Sequence, residues 1–274
     1  YLAALDSVRP RTYALDGHGA WSIDIDGLRR ATTDRTRAVV VVSPNNPTGS
    51  YLKRAELDAL AVHCRAHDLA LIGDEVFAEY VIDADLSRTS SVLAQRQALT
   101  FSLGGLSKGL GLPQLKLGWM VAAGPEELVR PALERLEIIC DTYLSVATPV
   151  QAGLPSLLAD GAVIRRAIRD RVTRNYRALL VAAARCLSVD VLPAEGGWYA
   201  VLQVPAMQSE ESLVLQLLEH DRVLVHPGYF FDFPREAYLV LSLLPPYEVF
   251  DRAVSRVLVR NFSAPAGSLL LSIS

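Results

Sequence analysis

Asn46, Asp74 and Lys108 each stand just past a strand-like stretch of this chain. They offer an amide, a carboxylate and an amine. In open α/β sheets ligands bind beyond the carboxyl ends of the strands, so one crevice can collect all three from distant positions. Two other groupings carry less. His63 and His67 are spaced i, i+4 on a helix, as a metal pair would be, but Cys64 stands where the H-E-x-x-H motif has Glu. With no third ligand evident, they read as helix-surface residues and no metal is expected. Asp74 and Glu75 are neighbours at a strand end, so their side chains point to opposite sides and do not form a carboxylate pair.

The elements that must position these residues alternate along the chain, as in an α/β domain. Thr36 to Ser43 reads TRAVVVVS, a β-branched run apolar on both faces, as a buried parallel strand requires. The turn Pro44-Asn45-Asn46-Pro47-Thr48-Gly49 ends it. Leu57, Leu60, Ala61 and Cys64 then fall at i, i+3, i+4, i+7, one face of a helix. Leu69 to Gly73 is a second short strand, ending at Asp74. Leu99 to Leu103 is a third, ending at Gly104-Gly105, and Leu117 to Ala123 a fourth. A helix starts at Pro125, with Glu126 and Glu127 where the helix dipole favours acids. Val163 to Cys186 reads as a long, Arg-rich helix. Beyond it, short strands (Val189 to Leu192, Tyr199 to Val204, Tyr238 to Leu243) surround one helix, Glu211 to His220. The expected organisation is a large domain over residues 1–165, a smaller α+β domain over 166–261, and a Ser- and Leu-rich tail over 262–274.

Length and composition permit this. The chain has 274 residues, 51% hydrophobic and 21% charged, enough for one or two domains with large cores. A net charge of −3 gives no support for nucleic acid or anionic membrane as the main partner. No apolar run reaches the roughly 18–20 residues of a membrane span. Cys64, Cys140 and Cys186 are odd in number and far apart, which favours a reducing compartment over a disulfide framework. The opening residues do not read as a signal peptide. The expected location is the cytoplasm.

The motifs taken together resemble one family. Ser43-Pro44-Asn45-Asn46-Pro47-Thr48-Gly49 is similar to the Asn-Pro-Thr-Gly segment of class I/II aminotransferases, enzymes of fold type I that use pyridoxal 5'-phosphate (PLP). Gly73-Asp74-Glu75-Val76-Phe77 resembles their Asp-Glu-x-Tyr strand end. Leu106-Ser107-Lys108, followed by Gly111-Leu112-Pro113 and Leu117-Gly118-Trp119, resembles their lysine segment. Order and rough spacing agree, and the likeness runs to about Val259.

The resemblance implies the fold: a mixed, mostly parallel sheet flanked by helices, with a smaller C-terminal α+β domain. It implies transfer of an amino group between an amino donor and a keto acid, with Lys108 holding PLP as a Schiff base and then shuttling the proton. Asp74 would keep the pyridine nitrogen protonated. Asn46 would hydrogen-bond the 3′-oxygen, with a cis bond to Pro47 in the family manner. Ser107 and Lys116 would contribute to the phosphate site. A homodimer is implied as well. So is a segment upstream of Tyr1, carrying the first phosphate-binding loop and the aromatic ring that stacks on the cofactor.

Four positions depart from the pattern. Phe77 replaces the Tyr that donates a second hydrogen bond to the ring oxygen, which should raise the Schiff-base pKa. Gly105 replaces a phosphate-binding Ser. Lys116 replaces an Arg and meets phosphate as a point charge instead of a fork, so a weaker grip on the cofactor is expected. Val240, in Tyr238-Leu239-Val240-Leu241-Ser242, replaces the Arg that clamps the substrate carboxylate; Arg235 lies five residues earlier.

Rival readings remain. A lyase or decarboxylase can use the same scaffold. Aminotransferase-like domains also serve as ligand sensors in bacterial regulators. Gly105-Leu106-Ser107-Lys108-Gly109 spells the G-x-S-x-G of α/β-hydrolases, with His220, His226 and Asp190 following, but that leaves Asn46 and Asp74 unexplained. Gly196-Gly197-Trp198-Tyr199 resembles the family's segment near the substrate entrance or, equally, a hairpin turn. His226-Pro227-Gly228 resembles a structural x-Pro-Gly turn beside Tyr229.

Overall fold

The computed structural model describes residues 6–18, 20–83, 86–233 and 235–260. The expected tail over 262–274 lies outside them. The chain starts with a hairpin, β1 (Leu15–His18) and β2 (Ala20–Ile23), then helix α1 (Ile25–Ala31). It continues through β3 (Ala38–Val42), α2 (Arg54–Ala66), β4 (Ala70–Asp74), β5 (Thr100–Gly105), the short α3 (Leu106–Gly109) and β6 (Gly118–Ala123). Three helices follow: α4 (Glu126–Thr142), α5 (Thr148–Asp160) and α6 (Ala162–Ala183). The last part holds β7 (Asp190–Val191), β8 (Tyr199–Gln203), α7 (Glu210–Asp221), β9 (His226–Pro227), β10 (Tyr238–Ser242) and α8 (Tyr247–Ser255). The chain divides into two units, Tyr1–Ala167 with Ala194–Gly197, and Ile168–Pro193 with Trp198–Ser274.

In the first unit the sheet order is β3-β4-β5-β6. β3, β4 and β5 run parallel and β6 is antiparallel to β5. The helix stripe read from the sequence covers this sheet: Leu57, Leu60 and Cys64 of α2 are buried with Leu28, Val39, Val41, Leu71 and Val92. Glu56 starts α2, its carboxylate accepting from the Lys53 amide (2.7 Å) and the Ile23 amide (2.8 Å). The sequence led us to expect β3 to be covered on both faces, yet Val40 is 53% exposed, because the buried cluster takes only Val39 and Val41 from this strand.

In the second unit the sheet order is β7-β8-β10-β9, antiparallel throughout. Asn175 of α6, fully buried, donates to the carbonyls of Leu243 and Pro245, both at 2.9 Å. Glu210, buried at the start of α7, accepts from the amides of Tyr229 (2.9 Å) and Tyr238 (2.7 Å) and so ties the His226-Pro227-Gly228 turn to β10.

His63 corrects the sequence reading. It is buried, not a surface residue, because the turn of α2 that carries it packs against the end of α1. Its Nε2 lies 2.9 Å from Thr32 Oγ1. That hydroxyl gives its proton to the Leu28 carbonyl (2.9 Å), so His63 Nε2 must be the donor. Burial, followed by His67 and Arg29, lowers the His63 pKa below its usual 6.5. The unfolded chain therefore takes up the proton first, and stability is lost as pH falls below about 6.5. Urea midpoints measured between pH 5 and 8 should drop at the acid end, and His63→Gln should flatten that drop. Parallel profiles for the two proteins would refute the assignment.

Candidate active site

The parallel register sets the site. Asp74 pairs with Val42 of β3 and with Leu103 of β5, so β3 and β4 end level and β5 runs two residues further, to Gly105. At a strand spacing of roughly 4.8 Å the three strands span about 10 Å. Asn46 follows β3, Asp74 ends β4, and Lys108 follows β5 in α3.

Asp74 is half-buried, and among the described residues its carboxylate accepts one hydrogen bond, from the Val76 amide (3.2 Å). Glu75 faces elsewhere. Its carboxylate accepts from Ser91 Oγ (2.7 Å), the Val92 amide (2.7 Å) and Ser102 Oγ. One acid of the pair thus fastens β4 to its surroundings, and the other is left for a ligand.

The loop after β3 is closed by Asn45, not Asn46. The Asn45 amide donates to the Ser50 carbonyl (2.8 Å), and Thr48 Oγ1 donates to Asn45 Oδ1 (3.0 Å). Asn46 is exposed at the tip, and among the described residues its side chain makes no hydrogen bond. The turn-forming role is therefore taken by its neighbour. The Ser43–Pro44 and Asn46–Pro47 bonds are both cis.

Lys108 Nζ lies 5.8 Å from the centre of the Phe77 ring, which is buried. Ser107 beside it is half-buried. Gly105 is buried, and a Cβ there would come within 3.2 Å of the Leu117 carbonyl oxygen, a tight contact that a serine fits only if that backbone gives by a few tenths of an ångström. Lys116 is exposed in a left-handed conformation (φ 52°).

Two residues the sequence reading missed hold this arrangement. Tyr80 donates from its hydroxyl to the Lys108 carbonyl (2.5 Å). Glu195 sits on the strap Ala194–Gly197, which belongs to the first unit although the chain on either side belongs to the second. The Glu195 and Gly196 amides donate to the Gly49 carbonyl (3.2 and 3.0 Å), and Gly49 has a φ of 73°. The Glu195 carboxylate accepts from the Tyr51 amide (2.7 Å) and pairs with Lys53 Nζ. The Gly-Gly pair drew attention in the sequence, but its acidic neighbour gave no signal. Val240 lies in the second unit. It is fully buried, in register with Val201 and His226, while Arg235 Nε donates to the Tyr238 hydroxyl (3.1 Å).

The sequence matches the profile of aminotransferase class I and II over residues 2–257. The chain belongs to that family. The glutamate-pyruvate aminotransferase AlaA of Escherichia coli (strain K12) is 25% identical over 259 residues, which are 92% of this chain and 64% of that protein. The alanine aminotransferase of Mycobacterium tuberculosis (strain ATCC 25618 / H37Rv) is 28% identical over 259 residues, 90% of this chain and 59% of that protein. The chain therefore spans about three fifths of the length of these relatives. Among solved structures, an alanine aminotransferase from Pyrococcus furiosus superposes with a TM-score of 0.81 at 23% identity, covering 94% of this chain and 66% of that one. A tyrosine aminotransferase from Leishmania infantum gives 0.84 at 21%, covering 96% and 66%. The fold is that of the fold type I PLP enzymes, with a mixed, mostly parallel sheet flanked by helices.

Class I and II aminotransferases work with PLP, and the donor set fits it. The site has an amine beside a buried ring, a carboxylate with spare accepting capacity, and an amide not engaged by its own loop. The whole chain holds three lysines: Lys53, Lys108 and Lys116. Lys53 is committed to Glu195 and Lys116 is on the surface.

The strap makes a checkable demand. Glu195→Ala leaves the Tyr51 amide without its acceptor and removes the ion pair to Lys53, which should cost about 1–3 kcal/mol in urea unfolding. An unchanged midpoint for Glu195→Ala would show that the strap is held by its backbone alone.

Proposed function

We propose that this chain acts in an aminotransferase reaction that moves an amino group from an amino donor to a keto acid, with Lys108 as the reactive lysine. The observation that carries this is the parallel pairing of β3, β4 and β5, after whose carboxyl ends Asn46, Asp74 and Lys108 follow. Bound PLP supplies an electron sink for the carbanion left when the donor loses its α-proton. Lys108 Nζ holds the group covalently and, once released, takes that proton and returns it. The Asp74 carboxylate opposes the charge of the pyridine nitrogen and so keeps a proton on it. Asn46 Nδ2 donates to the ring oxygen. Ser107 Oγ and Lys116 Nζ meet the phosphate, the lysine as a point charge. Phe77 adds an apolar wall beside Lys108 and no proton.

The named relatives favour alanine, glutamate and pyruvate as the exchanging pairs. Val240 stands where the family motif has its carboxylate-binding Arg, and a buried valine offers a carboxylate nothing. The substrate is therefore either an amino acid whose α-carboxylate another cation holds, or an amine without that carboxylate. A homodimer in the cytoplasm belongs to the same reading. It is supported by the apolar side chains exposed on α4 (Leu128, Leu133, Ile138, Ile139) and by cysteines that form no disulfide with one another among the described residues. The division near residue 165 into a large cofactor-binding domain and a smaller one is part of it too.

The test is transfer of a labelled nitrogen. With PLP, 15N-glutamate and pyruvate, the protein should form 15N-alanine, and Lys108→Ala should lower the rate by about 10³-fold or more. Transfer that survives Lys108→Ala would remove Lys108 from the mechanism.

A further inference from the structure

The turn after β4 lacks a hydroxyl at Phe77 but carries one three residues on. Tyr80 is fully buried. Its hydroxyl donates to the Lys108 carbonyl (2.5 Å), its carbonyl accepts from the Gly197 amide (2.9 Å), and its amide donates to the Phe77 carbonyl (2.9 Å). One turn thus meets Lys108 at both ends, with the Phe77 ring near Nζ and the Tyr80 hydroxyl at the carbonyl.

The lysine segment needs such a hold. α3 is four residues long, too short to fix its own carbonyls by helical pairing. The Gly111 amide reaches the Lys108 carbonyl at 3.3 Å, a long bond. Burial pushes the Tyr80 hydroxyl up to about 12, so it remains a donor across the neutral range. Because the peptide is planar, fixing the carbonyl oxygen fixes the plane from which the lysine side chain departs.

We propose that Tyr80 is the positioning residue for Lys108: its hydroxyl sets the direction in which the lysine side chain leaves the turn, and its carbonyl ties that turn to the Ala194–Gly197 strap. The proposal rests on the reading of Lys108 as the reactive amine. A misplacement of about 1 Å at a reacting group can cost up to about 10²-fold in rate, so a loosened turn has consequences beyond stability.

The experiment compares wild type, Tyr80→Phe and Tyr80→4-aminophenylalanine, the last restoring a donor on the same ring. The first readout is hydrogen exchange, without cofactor, at the amides of Leu110, Gly111 and Leu112, which bond to the carbonyls of Leu106 and Lys108. Exchange there should speed up about tenfold in Tyr80→Phe. It should return toward wild type in the amino variant, with the β3 amides unchanged in all three. The second readout is the rate at which PLP attaches to Lys108, trapped with borohydride and located by mass spectrometry. It should fall about tenfold in Tyr80→Phe and recover in the amino variant. Two variants that behave alike in both readouts would overturn the proposal, since a space-filling role does not distinguish them. If Lys108 is not labelled even in wild type, the transfer reading fails, and the exchange comparison still decides whether Tyr80 holds the turn.

Discussion

The parallel pairing of β3, β4 and β5 is the constraint on which the site depends. Side chains alternate along a strand, so a slip of one residue would turn Asp74 inward and Glu75 outward. The pairing of Asp74 with both Val42 and Leu103 prevents this. Burial enforces it: Leu71 and the neighbouring strand and helix residues Val39, Val41, Leu57 and Leu60 form one cluster, which no shifted register would preserve. The apolar core under the sheet therefore decides which carboxylate reaches the strand ends.

From there the polar contacts divide the work. Glu75 is consumed by Ser91, Ser102 and the Val92 amide, Asn45 closes its own loop, and Glu195 is bound to Lys53 and the Tyr51 amide. Glu75 and Asn45 thus fasten the backbone while their sequence neighbours Asp74 and Asn46 keep capacity for a ligand. Pre-organisation of this kind lowers what binding must spend on ordering the site.

Much of this was legible in the sequence. The β-branched run at Val39 to Val42 marked β3, though not the exposure of Val40, and the helix stripe at Leu57, Leu60 and Cys64 lies where local pattern and buried face agree. Other elements were not legible. α5 contains Pro149 and Pro155, which mask its helical pattern, and α8 follows directly on a Pro-Pro pair. The hairpin β1–β2 has strands of four residues, too short for a period to show. His63 was misplaced because a polar residue beside an apolar stripe can face either way, and only α1 decides which. Tyr80 and Glu195 act through backbone groups distant in sequence, and one sequence carries no sign of such pairs.

The central claim is that Lys108 is the amine this sheet edge presents. The chain makes the measurement clean, because the other two lysines are an ion-paired Lys53 and a surface Lys116. Protein incubated with PLP is reduced with borohydride, digested and mapped by mass spectrometry. A single pyridoxyl group on Lys108 is the predicted result. Label on Lys116 or Lys53 with Lys108 unmodified, or a folded protein with no label, would contradict it.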